Sequence, residues 1–217
     1  MPFEVTEIRK GTTTIFLMHY DDFDPEVHLD RLTDVEKERY FNFQSKTRQS
    51  EFVATRILRH KIFGFEHIHY DANGAPYIDE EGYLSISHSK KLIGIATNKE
   101  YQVALDLESP RKNIKSIAYR FVSDIECAHF DCSNDKILTR LWSAKEALYK
   151  LAGRKAILFK EHLIIKPGEN GHWTGLIDNL DHVLKIKLDI FEHEATLVSY
   201  NCAKIERQEH YDITKDQ

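Results

Sequence analysis

The stretch from Ser133 to Gly153 constrains the chain most. Ile137, Leu141, Ala144, Leu148 and Leu151 recur at steps of four, three, four and three, which is one apolar stripe on an α-helix. Ser133 or Asn134 supplies the N-cap, and Gly153 ends the helix. A helix apolar on one side only must bury that side, and the β-rich runs Leu163–Ile165, His172–Ile177, Val183–Ile190 and Ala195–Tyr200 that follow provide the sheet to bury it against. A strand is also predicted at Ile157–Phe159. The second half therefore reads as a helix followed by a sheet.

The first half repeats that order. Thr12–His19 reads as a strand, stopped by Asp21, Asp22, Asp24 and Pro25. Thr33 and Glu36 form a Ser/Thr-x-x-Glu capping box that opens a helix through residues 37–43. A second helix is predicted over Arg48–Phe63, ending at Gly64, with a basic face of Arg48, Arg56, His60 and Lys61. After the turn cluster at residues 71–76, Tyr83–His88, Leu92–Thr97 and Gln102–Leu107 read as an antiparallel meander closed by Pro110. Ile114–Phe121 reads as helical, and Ser123 with Glu126 forms a second capping box. No Gly-, Ser- or Pro-rich linker divides the halves, so the expectation is an α+β fold of two packed lobes with antiparallel sheets.

Composition narrows the setting. The longest apolar runs fall far short of a membrane span, and the first ten residues lack a cationic-then-apolar signal pattern. Three cysteines in 217 residues form no disulfide framework. A cytoplasmic protein without membrane attachment is expected. The net charge of −5 argues against a dedicated nucleic-acid binder, although a local basic cluster can still hold an anionic ligand.

Side-chain direction exposes the chemistry. Strand alternation in Val103–Glu108 sends Val103, Leu105 and Leu107 to one face and Ala104, Asp106 and Glu108 to the other. On the long helix, Trp142, Glu146 and Lys150 lie opposite the apolar stripe. Taken singly, Asp106 with Glu108 is a solvated strand end and Glu146 with Lys150 an ordinary helical pair. A helix crossing the strand end would instead gather Asp106, Glu108 and Glu146 into a carboxylate pocket suited to Mg²⁺, which leaves coordination positions for water and phosphate oxygens. The groups Cys127/His129/Cys132 and His67/His69 lack a fourth ligand or paired spacing for zinc. P-loop, Rossmann and nucleophile-elbow motifs do not occur in the sequence.

The pair Ala104–Glu108 (ALDLE) and Trp142–Lys150 (WSAKEALYK) resembles the signature of the 4′-phosphopantetheinyl transferases, G-[IV]-D-[IV]-E and W-[ST]-x-K-E-A-x-x-K. Leu84–Ser89 resembles that family's N-[LI]-S-H-S strand, Gly74–Tyr77 its G-K-P-Y turn, Arg120–Glu126 its R-F-F-[ST]-x-x-E helix and Arg56–Arg59 its R-x-L-L-R helix. The likeness runs from about residue 35 to 165, and the chain's size matches the larger pseudo-dimeric subclass associated with surfactin synthetase.

That resemblance implies a fold and an activity. Two similar α/β lobes in one chain, residues 1–104 and 105–217, would form a pseudo-dimer around a cleft. The implied reaction moves the phosphopantetheine arm of coenzyme A onto a serine of an apo acyl or peptidyl carrier protein and releases 3′,5′-ADP. By motif position Asp106, Glu108 and Glu146 would bind Mg²⁺, Glu146 would serve as base, and Lys150 would contact phosphate. Lys145 would do the same or pair with a carboxylate. His88 and Ser87, with Arg48, Arg56 and Arg59 as further candidates, would hold the 3′-phosphate of coenzyme A, although three arginines on one helix cannot all face one site. A carrier docking surface is expected near Phe121, Val122, Arg111, Lys112, Lys115 and Arg120, and a monomer is expected. Three positions depart from the family pattern: Ala75 replaces the usual Lys, Ala104 a Gly, and Val122 an aromatic residue. The same carboxylates would also suit a Mg²⁺-dependent phosphohydrolase, and loss of the Lys at position 75 would suit a non-catalytic binding module for coenzyme A or a carrier protein.

Overall fold

The computed structural model describes residues 3–20, 24–64, 66–72, 74–79, 82–153, 156–179 and 182–208. Val5–Lys10 (β1) and Thr13–His19 (β2) form an antiparallel hairpin. β1 escapes the alternation rule because Val5 and Ile8, three residues apart, are its half-buried positions. Asp24 caps a 3₁₀ turn at Pro25–Arg31, where the sequence suggests a loop. Asp34–Asn42 (α1) opens on the predicted capping box: Glu36 N–H donates to Thr33 Oγ1 at 3.2 Å, and Thr33 N–H to Glu36 Oε2 at 3.1 Å. Lys46–Phe63 (α2) stops at Gly64, whose φ of 66° favours glycine.

His69–Tyr70 (β3), Pro76–Ile78 (β4), Gly82–His88 (β5) and Leu92–Asn98 (β6) complete the first sheet, in the order β1-β2-β6-β5-β4-β3. Leu105–Glu108 (β7) does not extend the meander predicted for it; it crosses over to begin the second sheet. Residues 102–104 are not strand, and Ala104 N–H donates instead to the buried Asn201 side chain at 2.7 Å. The helix predicted over 114–121 is one turn, Ile114–Ile117 (α3), followed by a 3₁₀ turn at Ala118–Arg120. Asp124–His129 (α4) carries the second capping box. The apolar stripe belongs to Asp135–Leu151 (α5), capped by Asn134.

Ile157–Phe159 is not a strand. The Phe159 carbonyl instead accepts from Lys145, and its ring packs beside Trp142 and Tyr149. Leu163–Pro167 (β8), Trp173–Asn179 (β9), His182–His193 (β10) and Thr196–Asn201 (β11) form the rest of the second sheet, in the order β7-β11-β10-β9-β8, with Glu206–Gln208 (β12) beside β10.

The chain is thus α+β with two antiparallel sheets, and one path is traced twice. In each sheet a strand (β2 or β7) leads to a long helix (α2 or α5), and then to four strands of which the last returns beside the first. The α2 side of the first sheet and the α5 side of the second each bury their own core. A third cluster joins the sheets, with Ile15, Leu17, Leu92 and Ala96 from one meeting Leu105, Leu107, Val198 and Tyr200 from the other, and Val103 from the segment before β7. β6 is consequently buried on both faces, which explains its unbroken apolar run. Gly94 sits at this junction, where a Cβ would lie 2.9 Å from Leu107 Cδ1 and 3.0 Å from Leu17 Cδ2.

Candidate active site

The alternation along β7 places Leu105 and Leu107 in the inter-sheet cluster and turns Asp106 toward α5. Asp106 is 6% exposed. Its Oδ2 accepts from Ser143 Oγ at 2.8 Å, and its Oδ1 accepts from Ser87 Oγ at 3.3 Å and Lys150 Nζ at 3.2 Å. Lys150 also donates to Ser87 Oγ at 3.1 Å and to the Leu105 carbonyl. Glu108 is held by Arg111 at 2.8 Å and by the Trp142 side chain, while the Arg111 guanidinium lies 4.9 Å over the Trp142 ring. Burial raises the Glu108 carboxyl above its ordinary range despite Arg111.

Glu146 completes the acidic group. Burial, and then the negative charge of Asp106, push its carboxyl up to about 6; Lys150 and Arg111 oppose this shift and Glu108 adds to it. Hard oxygen donors carrying more negative charge than nearby cations relieve form the donor set Mg²⁺ takes, so these side chains fit that ion in chemistry and charge. Among the described residues no three His, Cys, Asp or Glu side chains converge to hold a metal ion. Asp106 is turned to its hydroxyl and ammonium partners, and Glu108 to Arg111. The structure therefore brings the predicted carboxylates into one neighbourhood without closing them into a coordination shell.

Beside this group opens a cavity of about 740 Å³, walled by α2, β3–β5, residues 102–103 and the C-terminal end of α5. Arg48, His88 and Lys150 line it. Arg48 Nη1 lies 3.0 Å from His88 Nε2, and Glu51 carries both, at 3.0 Å from Arg48 and 3.1 Å from His88 Nδ1. Burial, with Arg48 and Lys150, presses the His88 pKa below its ordinary value. Arg56 also reaches the wall, but Glu36 Oε1 accepts from its Nε at 3.0 Å and from Arg59 Nη1 at 2.9 Å. Arg59 is buried beneath the wall and does not line the cavity. Ser87 faces the seam with β7, and Ala75 lies on the wall.

Lys145 leaves the site altogether. Its ammonium is 0% exposed, pairs with Glu126 at 2.8 Å and donates to the Phe121 and Phe159 carbonyls. Phe121 and Val122 are buried in the α5 core, so they form no docking surface; Tyr119, 64% exposed, is the outward aromatic of that stretch. Lys115 pairs with Asp135 at 3.3 Å, and Arg120 donates to Tyr119 Oη.

Sequence reasoning overlooked four partners: Ser143, Glu36, Glu51 and Arg111. Ser143 was legible, since it precedes Glu146 by three residues and Lys150 by seven on the same helix face. Glu36 was hidden by its other task, because one carboxylate oxygen caps α1 while the other bridges the two arginines.

Residues 102–203 match the family model described as the 4′-phosphopantetheinyl transferase superfamily. A curated 4′-phosphopantetheinyl transferase from Bacillus subtilis is 30% identical over 106 residues, which is 46% of this chain and 46% of that protein. The match spans less than half the length of that relative.

Proposed function

We propose that the chain, whose residues 102–203 match the 4′-phosphopantetheinyl transferase superfamily model, transfers the phosphopantetheine arm of coenzyme A to a serine hydroxyl of an apo acyl or peptidyl carrier protein. The observation that carries this reading is the junction of an acidic group with a cationic cavity through Lys150, which touches Asp106 and lines the cavity wall. We take residues 1–104 and 105–217 as two lobes of a pseudo-dimer, in keeping with the repeated strand order. The free thiols Cys127, Cys132 and Cys202 suit a reducing, cytoplasmic setting, and a single chain holding both lobes suits a monomer.

In the reaction, the carrier serine oxygen attacks the pyrophosphate phosphorus nearest pantetheine. A new serine–phosphorus bond forms, and the bond to the 3′,5′-ADP oxygen breaks. Asp106, Glu108 and Glu146 would hold Mg²⁺, which when bound supplies positive charge to the pyrophosphate. Glu146 takes the serine proton as general base. Lys150 holds a phosphate oxygen as charge moves to the leaving group. Arg48, Arg56 and His88 orient the nucleotide end of coenzyme A in the cavity.

Release of 3′,5′-ADP from coenzyme A and Mg²⁺, measured with and without an apo carrier protein, tests the proposal. Carrier-dependent release supports transfer. Release at the same rate without a carrier would instead identify a phosphohydrolase, and binding of coenzyme A without turnover a binding module.

A further inference from the structure

β7 pairs with β11 along one edge, and its other edge meets β5 without a backbone ladder. Two β5 hydroxyls take the place of that ladder. Ser85 Oγ accepts from Leu105 N–H at 2.9 Å, and Ser87 Oγ accepts from Leu107 N–H at 3.0 Å. Both serines are buried, and they alternate with Leu84 and Ile86, which point to the opposite, α2-packed face. The two sheets are therefore set in register by a pair of side-chain oxygens two residues apart, matching two amides two residues apart.

Ser87 does more than Ser85. Its hydroxyl proton goes to Asp106 Oδ1 at 3.3 Å while its lone pairs receive Leu107 N–H and Lys150 Nζ. Ser143, 0% exposed and bonded to Ser199 Oγ at 2.8 Å, fixes the other oxygen of Asp106 from the far side. Asp106 thus sits between a hydroxyl from the first sheet and a hydroxyl from α5, and its orientation reports the alignment of the two halves.

We infer that Ser87 is a positioning residue for the Asp106 carboxylate, holding it for a divalent cation through the seam between the sheets instead of contacting the nucleotide from the cavity. The inference rests on the proposed assignment of Asp106 as a Mg²⁺ ligand. Removing the hydrogen-bond partner of a metal-binding group weakens metal affinity about 10-fold to 100-fold.

Titration calorimetry of Mg²⁺ into the full-length protein saturated with coenzyme A reads this directly. Ser87→Ala should weaken Mg²⁺ binding by about 10-fold, and Ser87→Cys, which keeps the shape but is a poor donor and acceptor, should do the same if the alanine variant folds badly. Ser87→Thr, which retains the hydroxyl, should restore the affinity. Ser85→Ala, whose oxygen meets backbone alone, should lower the melting temperature and leave the Mg²⁺ affinity as it was. Unchanged affinity in both Ser87→Ala and Ser87→Cys overturns the inference while leaving the transferase reading intact, and so does equal weakening by Ser85→Ala. Absence of Mg²⁺ binding in the wild-type protein would overturn the metal assignment, and the inference with it.

Discussion

Lys145→Met asks whether the lysine inside the Trp142–Lys150 motif serves structure or chemistry. The Lys145 ammonium and the Glu126 carboxylate are both fully buried, 2.8 Å apart. Burial lowers the lysine pKa, and Glu126 opposes that shift. Methionine fills similar space without charge, so the variant removes the cation and leaves the carboxylate. Glu126 would then keep the Ser123 and Ile165 N–H groups, each at 2.9 Å, and the Ser123 hydroxyl. Breaking a buried pair from one side costs about 3–5 kcal/mol, and the surviving donors place this case near the lower end, at about 3 kcal/mol. For a chain of this size each kcal/mol moves the melting temperature by about 2–4 °C, so a loss of roughly 6–12 °C is expected. Urea unfolding and calorimetry measure it, and adding Glu126→Gln to Lys145→Met should recover part of the loss. A Lys145→Met protein as stable as wild type refutes the reasoning. So does one that keeps its stability and loses turnover, since that would put the ammonium in the chemistry.

Three further outcomes follow from the geometry. The Glu146 carboxyl is raised to about 6, so its charge opposes folding above that pH, and the penalty fades as pH falls through 6 toward the unfolded value near 4.5. Glu146→Gln should therefore raise the melting temperature of metal-free protein at pH 8 and lose that advantage by pH 4.5, while abolishing transfer; an equal effect at both pH values contradicts the assignment. For Glu36, burial alone would raise the carboxyl, but the Thr33 N–H, Arg56 and Arg59 outweigh it and hold it below its ordinary range. Its contribution is present above the unfolded pKa and is lost as pH falls through the folded one, so Glu36→Gln should cost about 3 kcal/mol at pH 7 in urea unfolding and less in acid. Gly94→Ala would press a methyl group against Leu107, Leu17 and Leu105, and should destabilise the protein by about 1–3 kcal/mol; a neutral result would mean that the inter-sheet cluster gives way easily.

What the sequence disclosed was local. The stripe on α5, both capping boxes and the alternation along β7 depend on residues within a turn or two of each other, and each is present in the fold. What it concealed was set by distant partners. β7 leaves the meander because its apolar face completes the inter-sheet cluster, and its neighbour β11 lies some 90 residues away in sequence. Ser87 stands in a motif that suggests a ligand contact, yet strand alternation turns it to the seam while its neighbour His88 lines the cavity. Arg56 reads as part of a basic face, and Arg59 as a candidate for the 3′-phosphate, until Glu36, on the preceding helix, is seen to bridge them. Phe121 and Val122 flank charged residues in sequence but follow a 3₁₀ turn that points them into the α5 core.

In the proposed reaction Asp106, Glu146 and Lys150, beside the cationic cavity, carry out group transfer from coenzyme A to a protein. Intact mass of an apo acyl carrier protein, after incubation with this protein, coenzyme A and Mg²⁺, measures that transfer directly. A gain equal to one phosphopantetheine group is expected with the wild-type protein and none with Glu146→Ala. An unmodified carrier across several acyl and peptidyl carrier proteins, or full modification by Glu146→Ala, would contradict it.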